Sequence, residues 1–573
     1  MMAGAPGSEP KPKPVAGDPT ADPTADASTC FDILTENFAT LARAKGGIPK
    51  LRETILQLAV QGRLVPQDPA DEPASVLLER IQKEKARLVR EKTIKKSKPL
   101  PPVDADEVPH RIPLNWEWGH ISDFFISLPI SKYKIRNSEI SDSGRYPVID
   151  QSKDFIAGYY NDSSKLVKLN DPLVIFGDHT REIKYIDFDF VPGADGTKVL
   201  CPLNGFAKYF YLFLKSLNFE KKGYSRHFKF LKENYFPLPP LPEQHRIVER
   251  AYALMALCDE LEARQDAEAK RRRMLLESVL HALQDGTDPE GVAAAREIFA
   301  ANFDLLVDDT ESIAELRKTI LQLAVQGRLV EQDPADEPAS VLLERISAEK
   351  ARLVKEKKIK KAKPLPPVDV DEVPYALPEG WIWTRLDEIC FLITDGTHHT
   401  PTYTEEGVRF LSVKDLSNGF IDLSNTRYIS EEEHLELIKR CHPEYGDVLL
   451  TKVGTTGIAK VIDVDVEFSI FVSVALLKFS KGSIFPYFLE LMINSPLVKY
   501  QSEVNTQGVG NKNLVLKSIK KFVVPLPPLP EQHRIVERVD ALMKLCDKLD
   551  ARVRAQEDAA ERLLASVCDG ICG

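Results

Sequence analysis

The chain repeats itself, and any fold must accommodate that. Residues Leu51 to Pro113 return as Leu316 to Pro378, an offset of 265, with 52 of 63 positions identical. Thr54–Val65 and Thr319–Val330 are the same twelve residues. A second block, Pro237–Arg250, returns unchanged as Pro525–Arg538 at an offset of 288. The order is therefore repeat, variable, repeat, repeat, variable, repeat. Two near-identical scaffolds frame two segments that share little sequence, and the second segment is the longer. One structural task is carried out twice on two different targets.

The repeats read as helices. Leu51–Val60 places its apolar residues on one face, with Gly62 as the stop. Glu72 to about Lys96 reads as a second helix, since Pro73 suits a first turn and Val76, Leu77, Ile81 and Leu88 can share a face. A long helix follows each of Pro242 and Pro530, where Pro then Glu make a sound N-terminus. In the second, Ile535, Val539, Leu542, Cys546, Leu549, Val553, Gln556, Ala560, Leu563 and Val567 alternate steps of four and three, as in a coiled-coil seam. The first runs Ile247, Ala251, Leu254, Cys258, Leu261, turns polar at Gln265, Glu268 and Arg272, and resumes at Leu275 and Val279. Cys258 and Cys546 occupy matching seam positions and read as buried packing. About 40 residues make about 60 Å of helix, and the simplest assembly pairs the two antiparallel as a spacer.

The Pro-rich stretches Lys98–Val103 and Lys363–Val368 read as linkers into the variable segments. Each segment opens on a tryptophan pair, Trp116/Trp118 and Trp381/Trp383, read as core anchors because the same pair opens both. The interiors, with Leu173–Gly177 and Asp447–Gly454 as examples, carry β-branched and aromatic runs between Gly, Asn and Asp turns, which indicates mixed α/β globules. The fold class is α+β, two such globules separated by long antiparallel coiled-coil helices. The expected divisions are a disordered leader at 1–30, a first helical region at 31–112, and a first globule at 113–236. A long helix at 237–285, a linker with the second helical region at 286–377, a second globule at 378–524 and a second long helix at 525–573 complete the chain.

With 573 residues the chain exceeds one ordinary domain. No apolar run approaches the ~20 residues that span a bilayer, and Met1–Thr29 lacks the apolar segment of a signal peptide. Eight cysteines without framework spacing fit reduced thiols in a cytoplasm. There is no dinucleotide fingerprint. Gly454–Lys460 lacks the Gly-Lys-Ser/Thr ending of a phosphate-binding loop. The Asp171, Glu182, Lys184 spacing of a metal nuclease has no counterpart in the second half. Cys390, His398, His399, His434, Cys441 and His442 include no pair at zinc-site spacing.

Both copies of Leu-Pro-Pro-Leu-Pro-Glu-Gln-His-Arg-Ile, each leading into a long helix, resemble the specificity subunits of type I restriction-modification systems. So do both copies of the Thr54–Val65 run. Gly177–Arg181 and Gly446–Gly457 are similar to stretches of that family's target-recognition domains. The resemblance covers the chain from about residue 31. It implies a non-catalytic subunit whose two target-recognition domains each read one half of a bipartite, asymmetric site in double-stranded DNA. It also implies two modification subunits that use S-adenosylmethionine to methylate adenine, and restriction subunits that use ATP and Mg. A stand-alone tandem DNA-binding regulator is the alternative, and it would not need duplicated docking helices.

A net charge of −10 sits awkwardly with DNA. The objection weakens segment by segment, with 17 basic and 15 acidic side chains in 113–236 and 15 and 19 in 378–524. Reading bases takes Arg or Lys for guanine and Asn or Gln for adenine, and small donors hold phosphates. In the first globule His179, Thr180 and Arg181 lie on a post-strand loop, and Arg226 and Lys229 lie just before the scaffold resumes. In the second, Lys452, Thr455 and Thr456 lie in a Gly-flanked turn suited to phosphate. Asn511, Lys512 and Asn513 precede the framing block, and Lys414 could project from a strand end. The alternative for all twelve is solvated surface.

Overall fold

The computed structural model describes residues 35–573 except 37, 95–99, 105, 194–195, 204–206, 218–226, 233, 362, 509–511 and 573. The leader expected over residues 1–30 lies outside the described residues. Two compact units divide the chain: Met1–Glu268 with Gln556–Gly573, and Ala269–Ala555.

The first repeat forms helices Gly47–Gln61 and Ala74–Arg90. Gly62 ends the earlier helix at φ 74°, and a Cβ there would fall 2.5 Å from the Pro113 ring, so both the turn and the packing require glycine. Gly327 repeats this at φ 70° against Pro378, again at 2.5 Å. The later helix stops at Arg90, short of the expected Lys96, and Lys92 turns to φ 57°. Beyond Leu88 the sequence offers no apolar face to bury, so nothing offsets the cost of ordering further turns. Its repeat, Ala339–Lys355, ends the same way at Lys357, φ 59°.

The duplication extends to individual bonds. In the first unit Trp116 Nε1 donates to Glu243 Oε2 at 3.0 Å, and Gln67 Nε2 donates to Glu243 Oε1 at 2.6 Å. Arg246 pairs with Asp71 at 2.6 Å. In the second unit Trp381 and Gln332 donate to Glu531 at 2.9 and 3.1 Å, and Arg534 pairs with Asp336 at 2.7 Å. The tryptophans are thus core anchors with a polar task, joining the start of each globule to the start of the long helix that follows it. Both glutamates are fully buried, and burial pushes the Glu243 carboxyl up to about 7 against the two donors. Glu531 is raised for the same reason.

The long helices are Leu241–Asp285 and Leu529–Cys572. Ile247, Ala251, Leu254 and Cys258 pack in the first unit with Leu51, Ile55 and Leu58. Ile535, Val539, Cys546 and Val553 pack in the second unit with Ile313 and Ile320. Arg52 meets Asp259 and Glu262 at 2.6 and 2.7 Å, and its repeat Arg317 meets Asp547 at 2.7 Å. The early seams are therefore buried as expected, each against its own unit's repeat helix.

The late seams are only partly where the heptad count puts them: Val279 is buried and Val567 packs on the first unit's core, as read from the sequence. Leu275 and Leu563 are exposed, whereas Leu276 and Leu280, and Leu564 and Cys568, are buried. A straight helix drifts about 20° per heptad from a 3.5-residue repeat. The polar stretches Gln265–Arg272 and around Gln556 interrupt the seam, and past them the buried face shifts to Leu276 and Leu280 beside Val279, and to Leu564 and Cys568.

Each globule is built on one strand scheme. The first has β1 (Glu117–His120), β2 (Phe125–Ser127), β3 (Tyr146–Ile149), β4 (Gly158–Tyr160), β5 (Leu173–Gly177), β6 (Ile183–Ile186), β7 (Val191–Pro192), β8 (Thr197–Pro202) and β9 (Tyr235–Leu238). The second has β10 (Ile382–Arg385), β11 (Cys390–Asp395), β12 (Tyr403–Thr404), β13 (Val408–Leu411), β14 (Arg427–Ile429), β15 (Val448–Thr451), β16 (Ala459–Val461), β17 (Phe468–Ile470), β18 (Val474–Phe479), β19 (Thr506–Gln507), β20 (Asn513–Leu514) and β21 (Val523–Leu526).

Sheet β2-β8-β5-β6 corresponds to β11-β18-β15-β16, and β4-β3-β7 corresponds to β14-β13-β17. Antiparallel pairs β1–β9 and β10–β21 close each globule at its base. In both domains the middle strand of the second sheet pairs parallel with the last, β3 with β7 and β13 with β17. The second domain adds β12 and helix Glu431–Ile438.

The Pro-rich stretches are docked as well as connecting. Buried Arg385 donates to the carbonyls of Pro366, Pro367 and Lys521 and to Glu372. In the first copy His120 Nε2 lies 2.7 Å from the Pro101 carbonyl.

Candidate nucleic-acid interface

Parallel pairing of β3 with β7 sends the chain out of both strands at the same edge. The β5–β6 turn and the start of β8 lie there too, because Gly177 pairs with Thr197. Three connections therefore converge, and Gln151 ties them together. Its carbonyl accepts from Thr180 Oγ1 at 2.6 Å, and its Oε1 accepts from the His179 amide at 3.1 Å. The Gln151 side-chain amide also lies against Gly196, its Oε1 2.4 Å from where a Cβ there would stand.

The β5–β6 hairpin closes with the Arg181 amide on the Gly177 carbonyl and the Gly177 amide on the Glu182 carbonyl, both 2.8 Å. The tip is thus Asp178, His179, Thr180 and Arg181, with Arg181 at φ 65°. That region disfavours any residue but glycine, by about 1–2 kcal/mol. Asp178 is buried beneath the tip. It accepts from the Phe228 amide at 2.9 Å and lies 3.4 Å from Lys198. His179, Thr180 and Arg181 are brought together on one edge, and exposed Lys229 is carried by the short helix His227–Leu231 that Asp178 holds. Arg226 lies outside the described residues.

The second domain forms the same edge. The Thr451 amide meets the Ile458 carbonyl at 2.9 Å, and the Gly457 amide returns to the Thr451 carbonyl at 2.9 Å. Here glycine, at φ 83°, takes the left-handed position that Arg181 occupies in the first domain. Thr455 is exposed and Thr456 half-buried at the tip, with Thr456 Oγ1 3.3 Å from Thr506 Oγ1. The Gly454 amide donates to the Lys512 carbonyl at 2.9 Å, and Val453 bridges Asn513, so Lys512 and Asn513 flank the turn. The Val413 amide donates to Ser473 Oγ at 3.0 Å, which sets exposed Lys414 beside them. Asn511 lies outside the described residues.

Lys452 departs from expectation. Its side chain is 6% exposed and meets Asp395 at 3.2 Å, so it holds the turn from beneath and presents no ammonium to solvent. Asp395, the last residue of β11, also accepts from Arg440 at 2.7 Å and lies 3.1 Å from His398 Nε2. Gln151, Asp178, Asp395 and Arg440 were not singled out from the sequence. Gln151 reaches Thr180 across 29 residues, Asp178 reaches Phe228 across 50, and Asp395 reaches Arg440 across 45, and no local pattern marks such a pair.

A family model described as the type I restriction modification DNA specificity domain matches residues 113–271 and 378–556, one match over each globule and the start of its long helix. The chain belongs to the type I restriction-modification specificity-subunit family. It is 33% identical over 569 residues to the specificity subunit of the type I restriction enzyme EcoAI of Escherichia coli, covering 91% of this chain and 93% of that one. The corresponding EcoEI subunit, also of Escherichia coli, is 32% identical, with 91% and 93% covered. Among solved structures, the HsdS subunit from Thermoanaerobacter tengcongensis matches at 17% identity and a TM-score of 0.35, over 81% of this chain and 98% of that one. As a specificity subunit the chain is a non-catalytic component that directs DNA recognition, and its two globules are tandem target-recognition domains.

Proposed function

We propose that each target-recognition domain reads one half of a bipartite, asymmetric duplex site through the strand-end edge described above. The observation that carries this reading is a shared strand scheme with different side chains at the equivalent edge: Arg181 in one hairpin stands where Gly457 stands in the other. Shared geometry delivers each edge to a groove, and the differing residues select different bases. In the first domain the contacting residues are His179, Thr180, Arg181 and Lys229. In the second they are Lys414, Thr455, Thr456, Lys512 and Asn513. The buried Lys452 supports its turn.

The near-neutral charge of each domain fits a subunit that shares phosphate contacts with partners. The duplicated helical scaffolds fit two copies of one modification subunit. S-adenosylmethionine belongs on those partners, and ATP and Mg on restriction subunits, in a cytoplasmic complex. Selection of a randomised DNA duplex pool by the chain complexed with its modification partner tests the reading. Two short, unlike motifs at fixed separation support it, and enrichment of a single motif or none opposes it.

A further inference from the structure

We infer that Arg440 is a base-reading residue of the second domain, held in its reading pose by Asp395, an inference that rests on the two-reader account above. Asp395 closes β11 beside the first residues of β18, at the edge where the β15–β16 turn emerges. Its carboxylate is almost wholly buried, and its two oxygens have separate tasks. Oδ2 takes Lys452 Nζ at 3.2 Å, a buried and electrically neutral pair. Oδ1 takes Arg440 Nη2 at 2.7 Å, with His398 Nε2 at 3.1 Å.

Charge and exposure distinguish the two cations. Lys452 balances Asp395, which leaves the Arg440 guanidinium as surplus positive charge. The Arg440 side chain is 56% exposed, although its anchor is 3% exposed. Among the described residues its guanidinium has only Asp395 as partner. A guanidinium carries five N–H donors in a rigid fork, so one bond to Oδ1 tethers it and leaves a donor pair free for the O6 and N7 acceptors of guanine. The same Lys452 anchors the turn that carries Thr455, so Arg440 and that tip project from a common support. Arg440 also lies two residues beyond helix Glu431–Ile438, an element without a counterpart among the described residues of the first domain. A reader carried on a domain-specific element is what two different half-sites require.

The test is pool selection with a randomised DNA duplex, using the full chain in complex with its modification partner. Wild type is compared with Arg440→Lys and Arg440→Ala. Lysine keeps the charge and the Asp395 pair and loses the fork, so a merely structural ion pair survives in that variant. The expected result is a guanine position in the second domain's half-site whose preference falls about tenfold or more in both variants, the scale of one bidentate contact. The other half-site should be unchanged. An unaltered motif in both variants, a uniform loss of affinity without loss of base preference, or a second half-site without guanine overturns the assignment of Arg440 and leaves the two-reader account standing. A wild-type complex that selects no bipartite motif overturns both.

Discussion

Lys452 Nζ lies 3.2 Å from Asp395 Oδ2, and neither side chain is more than 6% exposed. Removing one partner of a buried ion pair leaves an uncompensated charge, at a cost of about 3–5 kcal/mol. Arg440 on the same carboxylate moderates this, so Lys452→Ala should destabilise the protein by about 3 kcal/mol. Lys414→Ala and Lys512→Ala, at exposed positions, should stay within about 0.5 kcal/mol of wild type. Their effect should appear in the salt dependence of DNA binding, where each lost phosphate contact lowers the slope of log K against log salt by about 0.9. Denaturant unfolding and salt-titrated polarisation check the two halves of this contrast. A Lys452 variant of unchanged stability would contradict it.

Arg181 holds a backbone conformation that glycine adopts in the matching hairpin. Arg181→Gly should relieve that strain and raise stability by up to about 1 kcal/mol, less the added freedom of the unfolded chain. The same change should weaken DNA binding at the first half-site. Unfolding and binding measured on one preparation would show stability and affinity moving in opposite directions. Parallel losses would mean that Arg181 is structural.

Burial raises the Glu243 carboxyl to about 7. The folded state therefore keeps a proton that the unfolded chain releases near its ordinary value of about 4.5. Stability from this group is fully present below about pH 4.5, falls as pH rises through about 7, and is level above that. The size is of the order of 3 kcal/mol at most. Glu243→Gln should flatten this part of the profile, since a neutral amide can still accept from Trp116. Thermal midpoints between pH 5 and 8.5 for wild type and variant provide the check, and parallel profiles would refute it.

Ile55, on helix Gly47–Gln61, is fully buried in the core that also takes in Ile247, Ala251 and Leu254 of the long helix Leu241–Asp285. Ile55→Ala should cost about 2–5 kcal/mol. Exposed Leu275, a seam position by heptad count, should tolerate alanine within about 0.5 kcal/mol. Equal costs at the two positions would restore the seam read from the sequence.

Most of the scaffold was legible because it is written twice. The repeat at offsets of 265 and 288 marked both globules, both long helices and the tryptophans that open each domain, and the Trp, Gln and Arg bonds that join each globule to its long helix reappear at the matching residues. Periodicity located the early seams at Ile247 and Ile535. Past Gln265 and Gln556 it held at Val279 and failed at Leu275 and Leu563, where polar residues let the buried face shift. Composition indicated which segments form the turns at that edge, because Gly, Thr and basic residues cluster at turns. It could not distinguish an exposed lysine from a buried one. Lys452 lies near glycines as Lys512 does, and only Asp395, 57 residues away in sequence, separates their roles. The part played by Arg440 was invisible for the same reason, and so was that of Gln151.

Two globules that read two halves of one site independently can be exchanged one at a time. The most direct measurement is genome-wide mapping of methylated adenine in cells that co-express the chain and its modification partner, with residues 378–524 replaced by the recognition domain of a relative. The account predicts a bipartite motif in which one half changes and the other is retained. A motif that changes in both halves, or methylation that is unaltered by the exchange, would contradict it.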